Sequence, residues 1–169
     1  SKQLLMQEEA VNGMAMVYGR MEEFEKQREM YRRSLQLATR LYGEESGVVA
    51  RSLTNLSRSL HALGRLEKAD RISARAVELH RKLYGRFDHR TGFALYARGK
   101  VLQKLGRYKN AGELVEKARA LFAEAIGPNH PHTATMDATL LDIYREMGDI
   151  DEAARHGEAA LTAYRTHLD

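Results

Sequence analysis

Apolar residues along the chain recur at helical spacing, with interruptions at regular intervals. Leu53, Leu56 and Leu60 stand three and four residues apart, which is the spacing of one face of an α-helix. The pattern stops near Gly64, resumes two residues later and continues as far as Leu79. This arrangement predicts a helix, a tight turn and a second helix, which together form a hairpin.

The hairpin pattern repeats along the chain with a period of 42 residues. The letters LYG stand at 41–43 and again at 83–85, and AIG stands at 125–127. Division after each of these glycines gives four blocks of equal length: 2–43, 44–85, 86–127 and 128–169. The period therefore predicts an all-α protein of eight helices, arranged as four hairpins in a single repeat domain over 1–169.

Glycine stands where most of the predicted hairpins turn, at Gly64, Gly106 and Gly148. A helix commonly ends in a left-handed residue, and glycine reaches that conformation without a Cβ penalty. The first block has Glu22 at this position. We therefore expect the first turn to be less regular than the other three.

The connections between blocks also have the residues typical of helix ends. The glycines that end the predicted second helices are Gly43, Gly85 and Gly127. We expect them to end these helices in the same left-handed way. Ser46 and Asp88 can accept hydrogen bonds from the free amide groups of the next helix. Pro131 is expected at the first position of the seventh helix, where its missing N–H is no loss.

The hairpin turns carry a recurring motif, GRLEKA at 64–69, GRYKNA at 106–111 and GDIDEA at 148–153. Seven residues after the alanine of each motif stand further alanines, Ala76, Ala118 and Ala160. This pattern resembles the tetratricopeptide repeat. The length of the block, with GPNHPHTATM and SLTNLSRSL, resembles the kinesin-light-chain type of that repeat. The resemblance implies a right-handed α-solenoid of four stacked hairpins, with the first helices lining a concave face.

Small residues such as Ser57 and Gly99 are expected where neighbouring helices approach each other closely. Four residues depart from the repeat: Gln27 replaces the first small alanine, Arg98 and Asp137 stand in columns that are otherwise apolar, and Gly157 replaces a bulky residue in the last helix. The first and last blocks are the least regular, as the ends of repeat arrays often are.

The resemblance implies that the concave face binds segments of other proteins. Projection of the first helices predicts the residues of this groove: Asn12, Met16, Arg51, Thr54, Asn55, Arg58, Phe93, Tyr96, Lys100, Lys104, Thr135, Asp142 and Arg145. The set is basic, with two aromatic rings at its centre. We therefore expect a protein or peptide partner, with an acidic segment favoured.

Composition narrows the class of protein. The chain has 169 residues, of which 43% are hydrophobic and 30% charged, and no cysteine, so disulfides and thiol chemistry are excluded. No apolar run reaches the ~20 residues of a membrane span, and the N-terminal residues do not resemble a signal peptide. We expect a cytoplasmic protein. The net charge of +4 is small for a nucleic-acid-binding protein.

The sequence does not predict enzyme activity. His130 and His132 are two residues apart, and neither they nor the pair His156 and His167 have the i, i+4 spacing of a His-Glu-x-x-His site. The chain has no glycine-rich phosphate loop and no strand-turn-helix elbow for a nucleophile. We therefore predict no catalytic residue, no metal site and no cofactor.

Two other functions are compatible with this pattern. The array could be the sensing or regulatory region of a larger signalling or transcription protein. Single-stranded RNA binding in a positive groove is less favoured, because the charge is small. The chain lacks an initiating methionine and begins and ends within helical pattern, so we expect a segment of a longer protein. Leu161, Tyr164 and Leu168 predict an uncovered strip on the last helix, and hence either self-association through a terminal helix or a native protein that continues past Asp169.

Overall fold

The computed structural model describes residues 2–166, and these residues form eight α-helices. The helices are α1 (Lys2–Arg20), α2 (Phe24–Tyr42), α3 (Gly47–Ala62), α4 (Leu66–Tyr84), α5 (His89–Lys104), α6 (Tyr108–Ile126), α7 (Pro131–Met147) and α8 (Ile150–Arg165). The described residues include no β-strand. The all-α class and the predicted number of helices are confirmed. None of these helices combines the length and apolar character needed to cross a membrane.

The chain divides into two compact units, with the boundary between Leu83 and Tyr84 at the end of α4. In the first unit, α1 packs against α2, and α2 packs against α3. A core cluster joins α2, α3 and α4 through Ala38, Val49, Ala50, Leu53, Ala76 and Leu79. In the second unit, α6 packs against both α5 and α7, and α7 packs against α8. Each unit therefore contains two helical hairpins packed on each other.

The turns within the hairpins have the predicted left-handed residue. Gly148 has φ 78° and ψ 10°, and Gly64 and Gly106 have φ of 69° and 74°. Glu22 has φ 57°. Its amide donates to the carbonyl of Gly19 at 3.2 Å, as the amide of Gly64 donates three residues back at 3.0 Å. The expectation of a less regular first turn is wrong, because Glu22 adopts the left-handed conformation despite its Cβ.

The connections between hairpins differ from the prediction in one angle. Gly43 has φ 79° and ψ 167°, and Gly127 has φ 99° and ψ 150°. These values combine a positive φ with an extended ψ, a conformation that is essentially restricted to glycine. Helices α2 and α6 therefore do not end in the left-handed way seen at Gly148. The chain leaves each of these helices in an extended direction.

The helix starts agree with the capping prediction, and His130 at α7 and Asp149 at α8 add two further caps to it. The Ser46 hydroxyl accepts from the amide of Val49 at 3.3 Å, and the Asp88 carboxylate accepts from the next helix at 2.8 Å. His130 caps α7 in the same way, because its Nδ1 accepts from the amide of His132 at 3.1 Å. Pro131 occupies the first position of α7, as predicted.

Small residues allow close helix packing in the second unit. A Cβ atom added at Gly99 of α5 would lie 2.5 Å from Cγ2 of Val115 on α6 and 3.4 Å from the carbonyl oxygen of Ala111. Val115 and Ala111 are fully buried. Close approach of α5 to α6 at this point therefore requires a residue without a side chain.

Candidate functional site

The predicted groove residues of the first unit lie on α1 and α3. Met16, Arg51 and Arg58 are exposed, and Asn12 and Asn55 are partly buried. Arg51 forms no ion pair with a described residue, so its charge is available to a ligand. These five side chains remain candidates for contact with a partner.

Thr54 does not belong to this surface. Its side chain is only 1% exposed, and its hydroxyl donates to the carbonyl of Ala50 at 3.0 Å. The same oxygen lies 3.3 Å from Nε2 of His80 on α4. Thr54 thus faces the partner helix within its own hairpin, and its side chain cannot reach a ligand. The helical projection places Thr54 on the side opposite the packed stripe, and this prediction is wrong.

The second unit brings four predicted residues onto one face of α5. Phe93, Tyr96, Lys100 and Lys104 follow at helical spacing, and Phe93 is 38% exposed. Lys100 and Lys104 form no ion pair with a described residue. The hydroxyl of Tyr96 lies 3.1 Å from Oγ1 of Thr139 on α7, so this ring also ties the two first helices together. The face combines an exposed aromatic ring with two uncompensated positive charges.

The predicted residues on α7 contribute less positive charge than expected. Arg145 pairs with Asp142 at 3.3 Å, so the two charges largely compensate each other. Thr135 is exposed, but its hydroxyl already donates to the carbonyl of Pro131 at 2.8 Å. The uncompensated charge of the second unit on this side is therefore concentrated on α5.

A buried polar network joins α6, α7 and α8, and sequence reasoning missed it as a site. His156 is 1% exposed, and its Nδ1 lies 2.7 Å from Oδ1 of Asp137. Its Nε2 lies 2.8 Å from Oε1 of Glu116. Nε of Arg119 donates to the same Asp137 oxygen at 2.7 Å, and the Tyr144 ring stacks on the imidazole with centroids 5.6 Å apart. One imidazole therefore links three helices.

The contacts favour the charged form of His156. Burial lowers the pKa of His156, but hydrogen bonds to Asp137 and Glu116 raise it more, so this pKa lies above its usual value. The hydrogen bond from His156 in turn holds the pKa of Glu116 below its usual value. Burial raises the pKa of Asp137, while bonds from His156 and Arg119 lower it by more. When protonated, His156 is thus a buried imidazolium between two carboxylates.

The repeat contains the signal for this network. The column of Asp137 holds Val11, Leu53 and Leu95 in the other blocks. The column of His156 holds Met30, Ile72 and Leu114. Two apolar columns therefore change to polar residues in the last block only. The change of Asp137 was visible in the sequence, but its partner became evident only from the packing of α8 on α7.

Three atoms of metal-ligand type converge at the edge of the network. They belong to Glu116, Glu152 and His156, and they lie within 4.8 Å of one another. The guanidinium of Arg155 lies 3.6 Å from Oε1 of Glu116 and hydrogen-bonds Glu152, with Nε to Oε2 at 2.9 Å. Because this guanidinium already supplies a positive charge to both carboxylates, the contacts are those of an ion-pair network.

A family model confirms the class of protein. The model of the tetratricopeptide repeat matches residues 7–82, 58–111 and 90–166. Together these matches extend over nearly the whole chain, and the chain therefore belongs to the tetratricopeptide repeat family. Membership in this family supports a role as a protein–protein interaction scaffold. A comparison with curated protein sequences finds no match.

Solved structures with similar folds support the same classification. BtubC (BKLC) from P. vanneervenii is 21% identical with a TM-score of 0.82, over 95% of this chain and 64% of that one. TPR-like repeats from Podosopora anserina, described as those of a kinesin light chain, are 19% identical with a TM-score of 0.81, over 99% and 77%. The predicted kinesin-light-chain-like character of the repeat is confirmed.

A Rap protein complexed with competence and sporulation factor has the same fold. It is 21% identical with a TM-score of 0.85, over 100% of this chain and 45% of that one. The chain thus spans less than two thirds of the length of BtubC and of this Rap protein. At these identities the likeness concerns the fold.

Proposed function

We propose that the chain is a non-enzymatic interaction module that binds an acidic peptide segment of a partner protein on the basic face of α5. The observation that carries this proposal is that the exposed ring of Phe93 lies on the same face of α5 as Lys100 and Lys104, which form no ion pair with a described residue. The remaining groove residues of the second unit, on α7, would extend the same surface. A Rap protein of the same fold was solved with competence and sporulation factor bound, which supports a binding role.

The two kinds of residue on α5 would act at different stages of binding. Like charges on one face raise the local potential and accelerate encounter with an acidic segment in a salt-dependent way. An aromatic ring buried by the ligand contributes much of the energy that holds a complex together. Phe93 would supply this contact, while the hydroxyl of Tyr96 remains bonded to Thr139.

In the first unit, Arg51, Arg58 and Asn55 offer a second surface of similar character on α3. We propose that this surface also contacts acidic segments, with Met16 of α1 as its exposed apolar residue. A cytoplasmic location is part of the same proposal, since the absence of cysteine suits a reducing compartment.

Selection of peptides from a random library on the immobilised chain tests the proposal. Peptides that bind should be rich in Asp and Glu, and the Lys100→Glu, Lys104→Glu double variant should lose most of their binding. The matched control is Lys109→Glu with Lys117→Glu, which makes the same change of charge at exposed positions of α6. Selection of neutral or basic peptides, or equal loss in both double variants, would show the proposal to be wrong.

A further inference from the structure

Each unit contains an internal interface between the second helix of one hairpin and the first helix of the next. In the first unit, Leu35 of α2 and Val48 of α3 pack against the same core cluster, which includes Ala38. Ser52 and Ser59 of α3 also face α2. The hydroxyl of Ser52 lies 3.5 Å from that of Ser34, and the hydroxyl of Ser59 donates to Gln27 at 3.1 Å.

The second unit repeats this interface between α6 and α7. The ring of Phe122 on α6 meets the ring of His132 on α7 edge to face, with centroids 6.4 Å apart. Phe122 is only 7% exposed, so its ring is buried. The face of a second helix at these positions is thus covered wherever another hairpin follows it within a unit.

The last helix presents this face without a cover. Tyr164 of α8 stands 42 residues after Phe122, and Leu161 stands in the column of Leu35. Tyr164 is 42% exposed and Leu161 is 56% exposed. The predicted uncovered strip on the last helix is therefore present for these two residues, while Leu168 lies outside the described residues.

The first helix presents the complementary face, also without a cover. Met6, Ala10 and Val17 of α1 stand in the columns of Val48, Ser52 and Ser59, the residues of α3 that face α2 or its core cluster. All three residues of α1 are exposed, and Val17 is 56% exposed. Ser52 and Ser59 in the same columns are buried. The chain therefore has both halves of its own internal interface on its surface.

We propose that copies of this chain associate head to tail, with the α1 face of one copy packed on the α8 face of another. The face on α1 is defined by Met6, Ala10 and Val17, and the face on α8 by Leu161 and Tyr164. The packing of α3 on α2 and of α7 on α6 is the template for this contact. This interface goes beyond the proposed peptide binding, because it does not use the exposed face of α5.

Head-to-tail contact has a distinct consequence for assembly size. The two contributing surfaces differ, so each added copy leaves one α1 face and one α8 face free. Growth beyond two copies is then expected unless the assembly closes into a ring. A symmetric contact of α8 with α8 would instead stop at a dimer.

Sedimentation velocity of the 169-residue chain over a wide range of concentrations tests the proposal. The unmodified chain should form species larger than a dimer as the concentration rises. Val17→Glu and Leu161→Glu should each sediment as monomers, because each removes one half of the contact. Both positions are exposed, so folding should be unchanged, and circular dichroism checks this. Phe87→Glu, at an apolar residue that is 76% exposed outside both faces, is the control and should associate as the unmodified chain does.

A mixture of the two variants separates head-to-tail contact from symmetric contact. Val17→Glu retains an intact α8 face and Leu161→Glu retains an intact α1 face, so an equimolar mixture should form a dimer that cannot grow. The proposal is overturned if the unmodified chain stays monomeric, if either variant alone still associates, or if the mixture contains only monomers. A monomeric unmodified chain would mean that these faces receive another hairpin rather than a second copy.

Discussion

Nδ1 of His156 lies 2.7 Å from Oδ1 of Asp137, and both side chains are 1% exposed. The two residues stand in columns that are apolar in the other three blocks, so a hydrophobic contact has been replaced by an ion pair. Removal of both charges from water is costly, and the hydrogen bonds to Glu116 and Arg119 offset part of that cost. The stability of the last hairpin should therefore depend on the protonation of one imidazole.

The first prediction concerns alkaline pH. The pKa of His156 in the folded chain lies above the value of about 6.5 expected when it is unfolded. A raised pKa gives a contribution to stability that is complete below pH ~6.5 and is lost as the pH rises through the folded pKa. Urea unfolding between neutral and alkaline pH should show this loss. The facing groups are Glu116 and Arg119 on α6, Asp137 and Tyr144 on α7, and Glu152 and Arg155 on α8.

The carboxylates of the network predict the opposite behaviour at acid pH. The pKa values of Asp137 and Glu116 are lowered in the folded chain. Their contribution is therefore present above the usual carboxyl pKa and is lost as the pH falls through the lowered values. The unfolding free energy should have its maximum between these two regions. Stability that is independent of pH from acid to alkaline solution would contradict both predictions.

Single and double substitutions of His156 and Asp137 should distinguish the free-energy cost of an unpaired buried charge from the contribution of the ion pair to stability. His156→Leu should lower the free energy of unfolding by up to ~3–5 kcal/mol, because the buried Asp137 loses His156 and keeps only the bond from Arg119. The double variant Asp137→Leu, His156→Leu restores the residue types of the other blocks and should be near neutral or stabilising. Arg119 is partly exposed, so its guanidinium can reach water in the double variant. A double variant as unstable as His156→Leu would refute this account.

Glycine in place of Glu22 should stabilise the first hairpin turn. Glu22 has φ 57°, a conformation that costs a residue with a Cβ about 1–2 kcal/mol. Glu22→Gly should therefore raise the free energy of unfolding by about 1 kcal/mol, reduced by the greater freedom of glycine in the unfolded chain. The reverse change, Gly64→Ala at φ 69°, should destabilise by a similar amount. Chemical denaturation of both variants provides the comparison.

Gly99 should not tolerate even a methyl group. Its added Cβ would lie 2.5 Å from Cγ2 of the buried Val115, so Gly99→Ala should cost ~1–3 kcal/mol by overpacking. Gly112 is a matched control on α6, because its added Cβ would lie 3.5 Å from Cγ2 of Ile143, an ordinary contact. Gly112→Ala should be neutral or stabilising, since alanine is the better helix former. Equal effects of the two substitutions on the midpoint of thermal unfolding would contradict the packing argument.

Much of the fold could be predicted because it depends on local signals. The period of 42 residues, the glycines at the turns and the capping residues each act over a few positions. The ψ angle at Gly43 could not be predicted from the sequence. Glycine is favoured both in the left-handed conformation and in the extended conformation with positive φ, so its presence does not distinguish the two. Thr54 and His156 were misjudged or missed because their surroundings are set by other helices.

The candidate surface on α5 could be predicted in part. Phe93, Lys100 and Lys104 follow the helical period, and of these Phe93 and Lys104 are exposed while Lys100 is partly buried. The hydrogen bond of Tyr96 to Thr139 and the ion pair of Arg145 with Asp142 could not be inferred, because they depend on rotamers and on contacts between helices. Ligand binding by these residues stays a proposal.

Stopped-flow kinetics with an acidic peptide selected on the chain would separate the roles of charge and aromatic contact. Phe93→Ala should mainly increase the dissociation rate, because it removes the buried apolar contact of the complex. The association rate should be nearly unchanged. Because Phe93 is exposed, its substitution should leave the fold intact, and circular dichroism of the variant checks this.

The most direct test of the central claim is the association rate of that peptide with Lys100→Glu, Lys104→Glu at low and at high salt. The rate should decrease strongly at low salt and only slightly at high salt, because screening removes long-range attraction. The control Lys109→Glu, Lys117→Glu on α6 should associate nearly as fast as the unmodified chain. Equal rates for both double variants at low salt would contradict the claim that the basic face of α5 receives the peptide.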